Sequence, residues 1–277
     1  MRSILVVARK EFQDDFRNRW TVAVAIVFAL LALGLAYFGG AAAGKIGFTS
    51  FEATLASLTT LAAFIIPLIG LLISYDTVVG EHDNGTLLLM LSYPLSRTEL
   101  VAGKFVGHCS ALGLATVAGF GLAVAIIEVT QPLTRNLDAW MYIGSFILSA
   151  SMLGASFVAL ACMISVLTTD KSRAAGLALV AWFATVVLFD LALLALLVYS
   201  GGNQFEKETF PYLLLLNPID VFRLINLTVL GHGAGNDLLM GMTASHVYHP
   251  AALYLVMLAW IAVPFMVAIA LFRRKEI

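Results

Sequence analysis

The side chains in this sequence that are of a kind to perform chemistry fall into a few places. The stretch Gly39-Gly-Ala-Ala-Ala-Gly44-Lys45-Ile46 carries the glycine and lysine spacing of a phosphate-cradling loop. That loop needs a hydroxyl after its lysine to hold magnesium, and Ile46 has none. The stretch also follows a long apolar run on the side expected to face outward. The chain therefore shows no ATPase of its own. His246-Val-Tyr-His249 sets two imidazoles three residues apart, with Met240 and Met242 nearby. Imidazole and thioether ligands suit copper, but an ordinary loop leading into an apolar helix has the same composition and is the favoured reading. Asp190 is the one acid well inside an apolar run. A carboxylate at mid-membrane costs roughly 2.5–3.5 kcal/mol on insertion scales, so such residues face a bundle interior or water. Asp190 either lines a pathway or hydrogen-bonds Ser and Thr hydroxyls across a helix interface. Cys109 and Cys162 both lie in apolar runs and read as buried thiols, not as a disulfide or a metal pair. No metalloprotease, Cys-x-x-Cys or serine-nucleophile pattern is present, which leaves an enzyme working inside the membrane without visible machinery.

The elements that must position these groups follow from composition. The 277 residues are 61% hydrophobic and 12% charged, with a mean hydropathy of +0.95. A soluble domain carries about 25% charged residues. Half that fraction is too little to cover a globule in water, so lipid must cover much of this one. The net charge of −1 gives nucleic acid no handhold.

A spanning helix takes about 20 apolar residues, at a rise of about 1.5 Å each across a core of about 30 Å. Six such spans are expected, at 20–39, 54–74, 105–127, 141–167, 174–200 and 251–272. The uncharged run from Trp20 to Gly44 is 25 residues long. It exceeds the roughly 7–15 residues of a signal-peptide core, so despite Ala41-Ala42-Ala43 it reads as an uncleaved anchor. With six spans, Arg2, Arg9, Lys10, Arg17, Arg19, Arg97, Lys104, Lys171, Arg173, Arg273, Arg274 and Lys275 share one side, against Lys45, Arg135, Lys207 and Arg223 on the other. The excess of positive charge places both termini in the cytoplasm.

The chain reads as a single transmembrane domain over 1–277 with three notable connections. Residues 1–19 alternate Ile4, Leu5, Val7, Ala8, Phe12 and Phe16 with charges, giving an amphipathic helix in the membrane interface, where its Arg and Lys meet anionic headgroups. Residues 75–104 hold Asn84-Gly85, a turn signal; Thr86, which would cap a short helix through Met90 and Leu91; Pro94, which ends it; and Ser96-x-x-Glu99, a capping box opening the third span. This loop is either an interfacial connector or a docking element. Residues 201–250 are apolar over 210–230 but broken by Asn217-Pro218, Asp220 and Arg223, a pattern suited to re-entrant or interfacial helices.

Gly80-Glu81-His82-Asp83-Asn84-Gly85-Thr86-Leu87, then Ser92-Tyr93-Pro94-Leu95-Ser96-Arg97, then Gly103-Lys104-Phe105 resemble the signature of ABC type 2 permeases. In that family Glu-x-x-x-Gly-Thr, Ser-x-Pro and a downstream Gly-Lys recur between the second and third spans. Ala8-Arg9-Lys10-Glu11-Phe12 with Phe16-Arg17 is similar to the family's interfacial elbow helix, and Asn217-Pro218 fits its last external loop. The resemblance covers essentially the whole chain and looks strongest for the branch that serves maturation of nitrous-oxide reductase.

That resemblance implies a homodimer in the bacterial inner membrane, each subunit docking one cytoplasmic ATPase that carries the ATP and Mg. The short helix in 75–104 would be the coupling helix. Glu81, Gly85, Thr86, Pro94 and Arg97 would fix or present it, with His82, Asp83 and Asn84 in the same loop. A periplasmic accessory protein and a role in building the reductase's copper centres are also implied, although the sparse external Met and His argue against a dense copper relay in this chain. The expected function is an ATP-driven transport or mechanotransmission subunit. The alternative is a secondary transporter or channel acting without an ATPase. That would need charged relays inside the membrane, for which only Asp190 qualifies.

Overall fold

The computed structural model describes residues 2–17, 26–27, 30, 34, 51–93, 95–130, 137–200, 204–230 and 248–275. All regular structure among them is helical. The elements are α1 (Arg2–Arg17), α2 (Phe51–Ser74), α3 (Val79–Asp83), α4 (Leu87–Ser92), α5 (Arg97–Thr130) and α6 (Leu137–Leu167). They continue with α7 (Lys171–Phe183), a π-turn (Ala184–Leu188), α8 (Phe189–Ser200), α9 (Gln204–Leu214), α10 (Pro218–Leu230) and α11 (Pro250–Arg274).

Five stretches among the described residues are long and apolar enough to cross a membrane: Leu55–Asp83, Arg97–Leu122, Ala139–Leu167, Lys171–Tyr199 and Pro250–Arg274. They correspond to the expected second to sixth spans. The expected first span, with the Gly39–Ile46 stretch, lies almost wholly outside the described residues. Helix is the only form these runs can take singly in lipid, because it satisfies its own N–H and C=O groups. Many of their Ser and Thr hydroxyls are satisfied in the same way, donating to a carbonyl one turn back, as Thr116 does to Leu112 (2.8 Å) and Ser110 to Val106 (2.7 Å).

Helix α6 is central and packs against α2, α5, α10 and α11. Phe146 of α6 meets Phe120 of α5 edge to face at 4.9 Å and Phe222 of α10 at 6.1 Å. In α10, Ile219, Val221, Phe222, Leu224 and Ile225 are fully buried. Helix α10 is thus part of the bundle core, which explains how its charged residues coexist with an apolar stretch: they are paired inside. The thiols of Cys109 and Cys162 are both free, the second buried and the first only half-buried.

Candidate functional site

One end of the bundle gathers most of the charge. It holds α1, the connection from Tyr75 to Lys104, the turn between α6 and α7, and the end of α11. The local chain chemistry at Glu81–Thr86 comes first. Gly85 donates to His82 O and Thr86 donates to Glu81 O, both at 3.0 Å. These two bonds form a Schellman motif, whose turning residue must adopt a left-handed conformation. Gly85 does so at φ 70°, which any Cβ would oppose. Asn84-Gly85 therefore turns as the sequence signals. Thr86 stands at the start of α4 but gives it no side-chain cap. Its hydroxyl instead turns back to the Glu81 carboxylate. Ser96 and Glu99 do form the capping box, with Ser96 N donating to Glu99 at 3.1 Å and Glu99 N donating to the Ser96 hydroxyl at 3.2 Å.

Four other elements hold this connection. The Ser165 hydroxyl of α6 accepts from the amides of Val78 (2.9 Å) and Val79 (3.0 Å), capping α3 from outside. Lys171 at the start of α7 pairs with Asp76 (2.6 Å), and its backbone N–H donates to Asp83 (2.8 Å). Arg97 donates to the last carbonyls of α11, Phe272 O at 3.1 Å and Lys275 O, and its guanidinium lies 5.7 Å from the Phe272 ring centre. Lys275 in turn donates to Val166 O (2.7 Å) and Thr168 O (2.8 Å) at the end of α6. Both cations sit where the helix dipole favours positive charge. Lys104 of α5, 4% exposed, lies 2.9 Å from Glu81 and 2.9 Å from Glu11 of α1. Burial pushes the Glu11 carboxyl up, but Lys104, His108 and Lys10 together hold that carboxyl below its usual range.

Helix α1 reaches Lys104 because α5 presents glycine there. A Cβ on Gly103 would come within 2.6 Å of the Val7 Cβ, and one on Gly107 within 2.7 Å of the Glu11 Cβ. The Gly-x-x-x-Gly spacing lets two backbones approach, as small residues do between membrane helices. Replacing Gly103 by valine is expected to push α1 off α5. A cysteine at the buried Ala8 position should then react with maleimide, while the same cysteine beside Gly103 stays protected. Equal protection in both would refute the close-packing account. His108 completes the cluster, with Nδ1 at 3.0 Å from Asp15.

On α4, Leu87 is buried, and Met90 and Leu91 pack beside it onto the cluster with Val78, Leu100, Val166 and Phe272. The opposite face exposes Leu88 (65%), Leu89 (62%) and, just beyond it, Tyr93 (68%). A helix apolar on both faces at a charged end has one face without a partner among the described residues. His82 is half-exposed beside Asp83. Pro94 lies outside the described residues.

The other expected site residues are elsewhere. Asp190, in α8, pairs with Arg223 of α10 at 2.8 Å, and Arg223 reaches Asp220 at 3.2 Å. Its partner is thus an arginine, and not the Ser or Thr hydroxyls expected across a helix interface. Asn217 caps α10 by accepting from Ile219 N (3.2 Å), ahead of Pro218 in the first helical position. Its amide donates to Asp220 (3.0 Å) and to Thr185 O of the π-turn (2.9 Å). His249 caps α11, its Nδ1 accepting from Ala251 N at 3.3 Å; Met240, Met242 and His246 lie outside the described residues. Sequence reasoning missed Glu11, Ser165, Lys171 and Arg223 as structural partners. Only the Gly103-x-x-x-Gly107 spacing offered a signal, for the α1 contact.

With this geometry in view, the likenesses to known proteins can be set beside it. The family model described as "ABC-2 family transporter protein" matches residues 5–277. A protein of Stutzerimonas stutzeri named "Probable ABC transporter permease protein NosY" is 47% identical over 277 residues, covering 99% of both chains. A protein of the same name from Pseudomonas aeruginosa is 46% identical over 277 residues, covering 100% of both. The five apolar helices, the Glu81–Thr86 turn and these full-length matches agree: the chain belongs to the ABC-2 family of transporter proteins, as a multi-pass membrane permease.

Proposed function

We propose that this permease couples ATP hydrolysis by a separate cytoplasmic ATPase, which carries the ATP and Mg, to transport or mechanical work for copper-centre assembly of periplasmic nitrous-oxide reductase. The observation that carries the reading is α4: two exposed leucines presented by a connection that ion pairs and foreign caps hold to four other elements. A partner-seeking apolar face on a rigid mount is what docking and force transfer require. Six spans with both termini cytoplasmic fit the described ends. Helix α1 and the end of α2 lie at the charged end, while α2, about 36 Å long, begins at the opposite one. A homodimer in the inner membrane and a periplasmic accessory protein belong to the same proposal, from the family resemblance.

The secondary-carrier reading is weakened by Asp190, whose charge is matched by Arg223. The deciding test is purification with the membrane partners, followed by substitution. A P-loop ATPase should accompany the permease at fixed stoichiometry. Glu81→Ala removes one of the two carboxylates on Lys104, and Gly85→Pro imposes a φ near −65° on a residue at φ 70°. Both variants should remain in the membrane yet lose reductase copper loading per ATP hydrolysed. Normal copper loading in both, or a permease that purifies alone and conducts ions in vesicles, would refute the coupling reading.

A further inference from the structure

We propose that Lys104 is a positioning residue that makes α1 a moving part of the coupling unit. By holding Glu11 of α1 and Glu81 of α3 on one ammonium, it passes displacement of the docked connection to α1 as well as to α5. This inference rests on the reading of 75–104 as the ATPase-docking connection and names a part of its transmission.

Three observations carry it. First, Lys104 is almost wholly buried and sits at 2.9 Å from a carboxylate on each side. A lysine withdrawn from water is costly to leave unpaired, so the two contacts hold their elements to one geometry. Second, the helix carrying Lys104 has no slack against α1. The flanking Gly103 and Gly107 already place the Val7 and Glu11 Cβ atoms where a Cβ on either glycine would collide. Packed interfaces of this kind shift between discrete arrangements more readily than they stretch. Third, the charges close around the joint. Lys10 lies 3.3 Å from Glu11, and His108 lies 3.0 Å from Asp15 and 4.0 Å from Glu11. Three carboxylates on two elements are thus gathered about Lys10, Lys104 and the His108 imidazole, with Lys104 the one that touches both elements. The Schellman turn then ties Glu81 to Thr86, where α4 begins. A displacement of α4 has a short path to α1: Thr86, Glu81, Lys104, Glu11.

The test uses the permease in complex with its ATPase. A cysteine replacing the exposed Leu5 of α1 reports on the position of that helix, read over the background of the native thiols. Its reaction with a polar maleimide should differ between ATP-bound and nucleotide-free complex when Lys104 is present. In Lys104→Met that difference should vanish, the ATPase should remain bound, and copper loading per ATP hydrolysed should fall about tenfold, within the range for one residue of a coupling network. Glu11→Gln should act in the same direction, and Lys104→Arg should restore both readouts, which a merely space-filling role would not require. The inference is overturned if Leu5→Cys labelling is indifferent to nucleotide in the presence of Lys104, or if Lys104→Met couples normally while the ATPase stays bound; either result leaves the docking reading standing. It is also overturned if Lys104→Met releases the ATPase, since Lys104 would then serve docking itself. Absence of any ATPase from the unmodified complex overturns the docking reading and this inference together.

Discussion

Replacing Leu88 and Leu89 together by glutamate is expected to free the permease of its ATPase while leaving it inserted and folded. Both side chains point away from the cluster on which Leu87 packs, so the change removes little packing among the described residues. At about 2 kcal/mol for each leucine buried against a partner, losing both weakens association about a thousandfold. Two carboxylates then add the penalty of burying unpaired charge. The measurement is ATPase recovered per permease after affinity purification, with size-exclusion behaviour as the control for folding. Recovery at the unmodified stoichiometry would move the docking face elsewhere and leave α4 as an interfacial connector. A single Leu87→Glu would not serve, because Leu87 is buried in the permease itself.

Arg223→Met should destabilise the bundle strongly. The guanidinium lies between Asp190, 34% exposed, and Asp220, fully buried. Methionine keeps the stem and deletes the charge. Asp220 is then left with the Asn217 amide at 3.0 Å as its remaining side-chain donor. Removing one partner of a buried pair costs about 3–5 kcal/mol, because the other charge stays behind. Asp190→Asn should be mild by comparison. The amide still offers Arg223 an acceptor, and the Arg223–Asp220 contact remains, so a change of about 1 kcal/mol is expected. Thermal unfolding in detergent, read side by side for the two variants, checks the ordering. An Arg223→Met protein as stable as the unmodified one, or an Asp190→Asn protein that is the weaker of the two, would contradict the network described.

The spans were legible because lipid leaves little choice. Runs without charge at 54–74, 141–167 and 251–272, and the run at 174–200 with Asp190 as its one charge, each became a helix or a helix pair close to those bounds. The third was underestimated. A charge-free criterion begins it at 105, yet α5 begins at Arg97. The missing turns carry Glu99 and Lys104, which such a criterion discards. They are helical because Glu99 caps the start and Lys104 is neutralised by α1 and α3. The turn at Asn84-Gly85 and the capping box at Ser96 were readable because both are local, involving residues at most five apart. Partners across the fold were not. Lys171 meets Asp76, Arg97 meets the end of α11, and Arg223 meets Asp190, all between elements that only the packed bundle brings together. Arg223 was the instructive case. An arginine in a broken apolar stretch reads as external, but its charge is matched by two carboxylates, and α10 is buried around it. Thr86 shows the reverse error: the right residue to cap a helix, with its hydroxyl already engaged by Glu81.

The π-turn at Ala184–Leu188 puts one extra residue into the fourth of the five apolar stretches described. A π-turn accommodates one residue more than a regular helix would over the same rise. Deleting Val187 would let the backbone close into ordinary α-helix, and four α residues at about 100° each turn the chain nearly as far as the five residues of the π-turn. Everything from Phe189 onward would then keep nearly its present facing, with Asp190 still on the side that Arg223 occupies. What the closure would remove is the spare Thr185 carbonyl that the Asn217 amide now fills. The extra residue therefore serves as a built-in acceptor for α10, and a one-residue deletion here would cost that bond while leaving the helix beyond it in place.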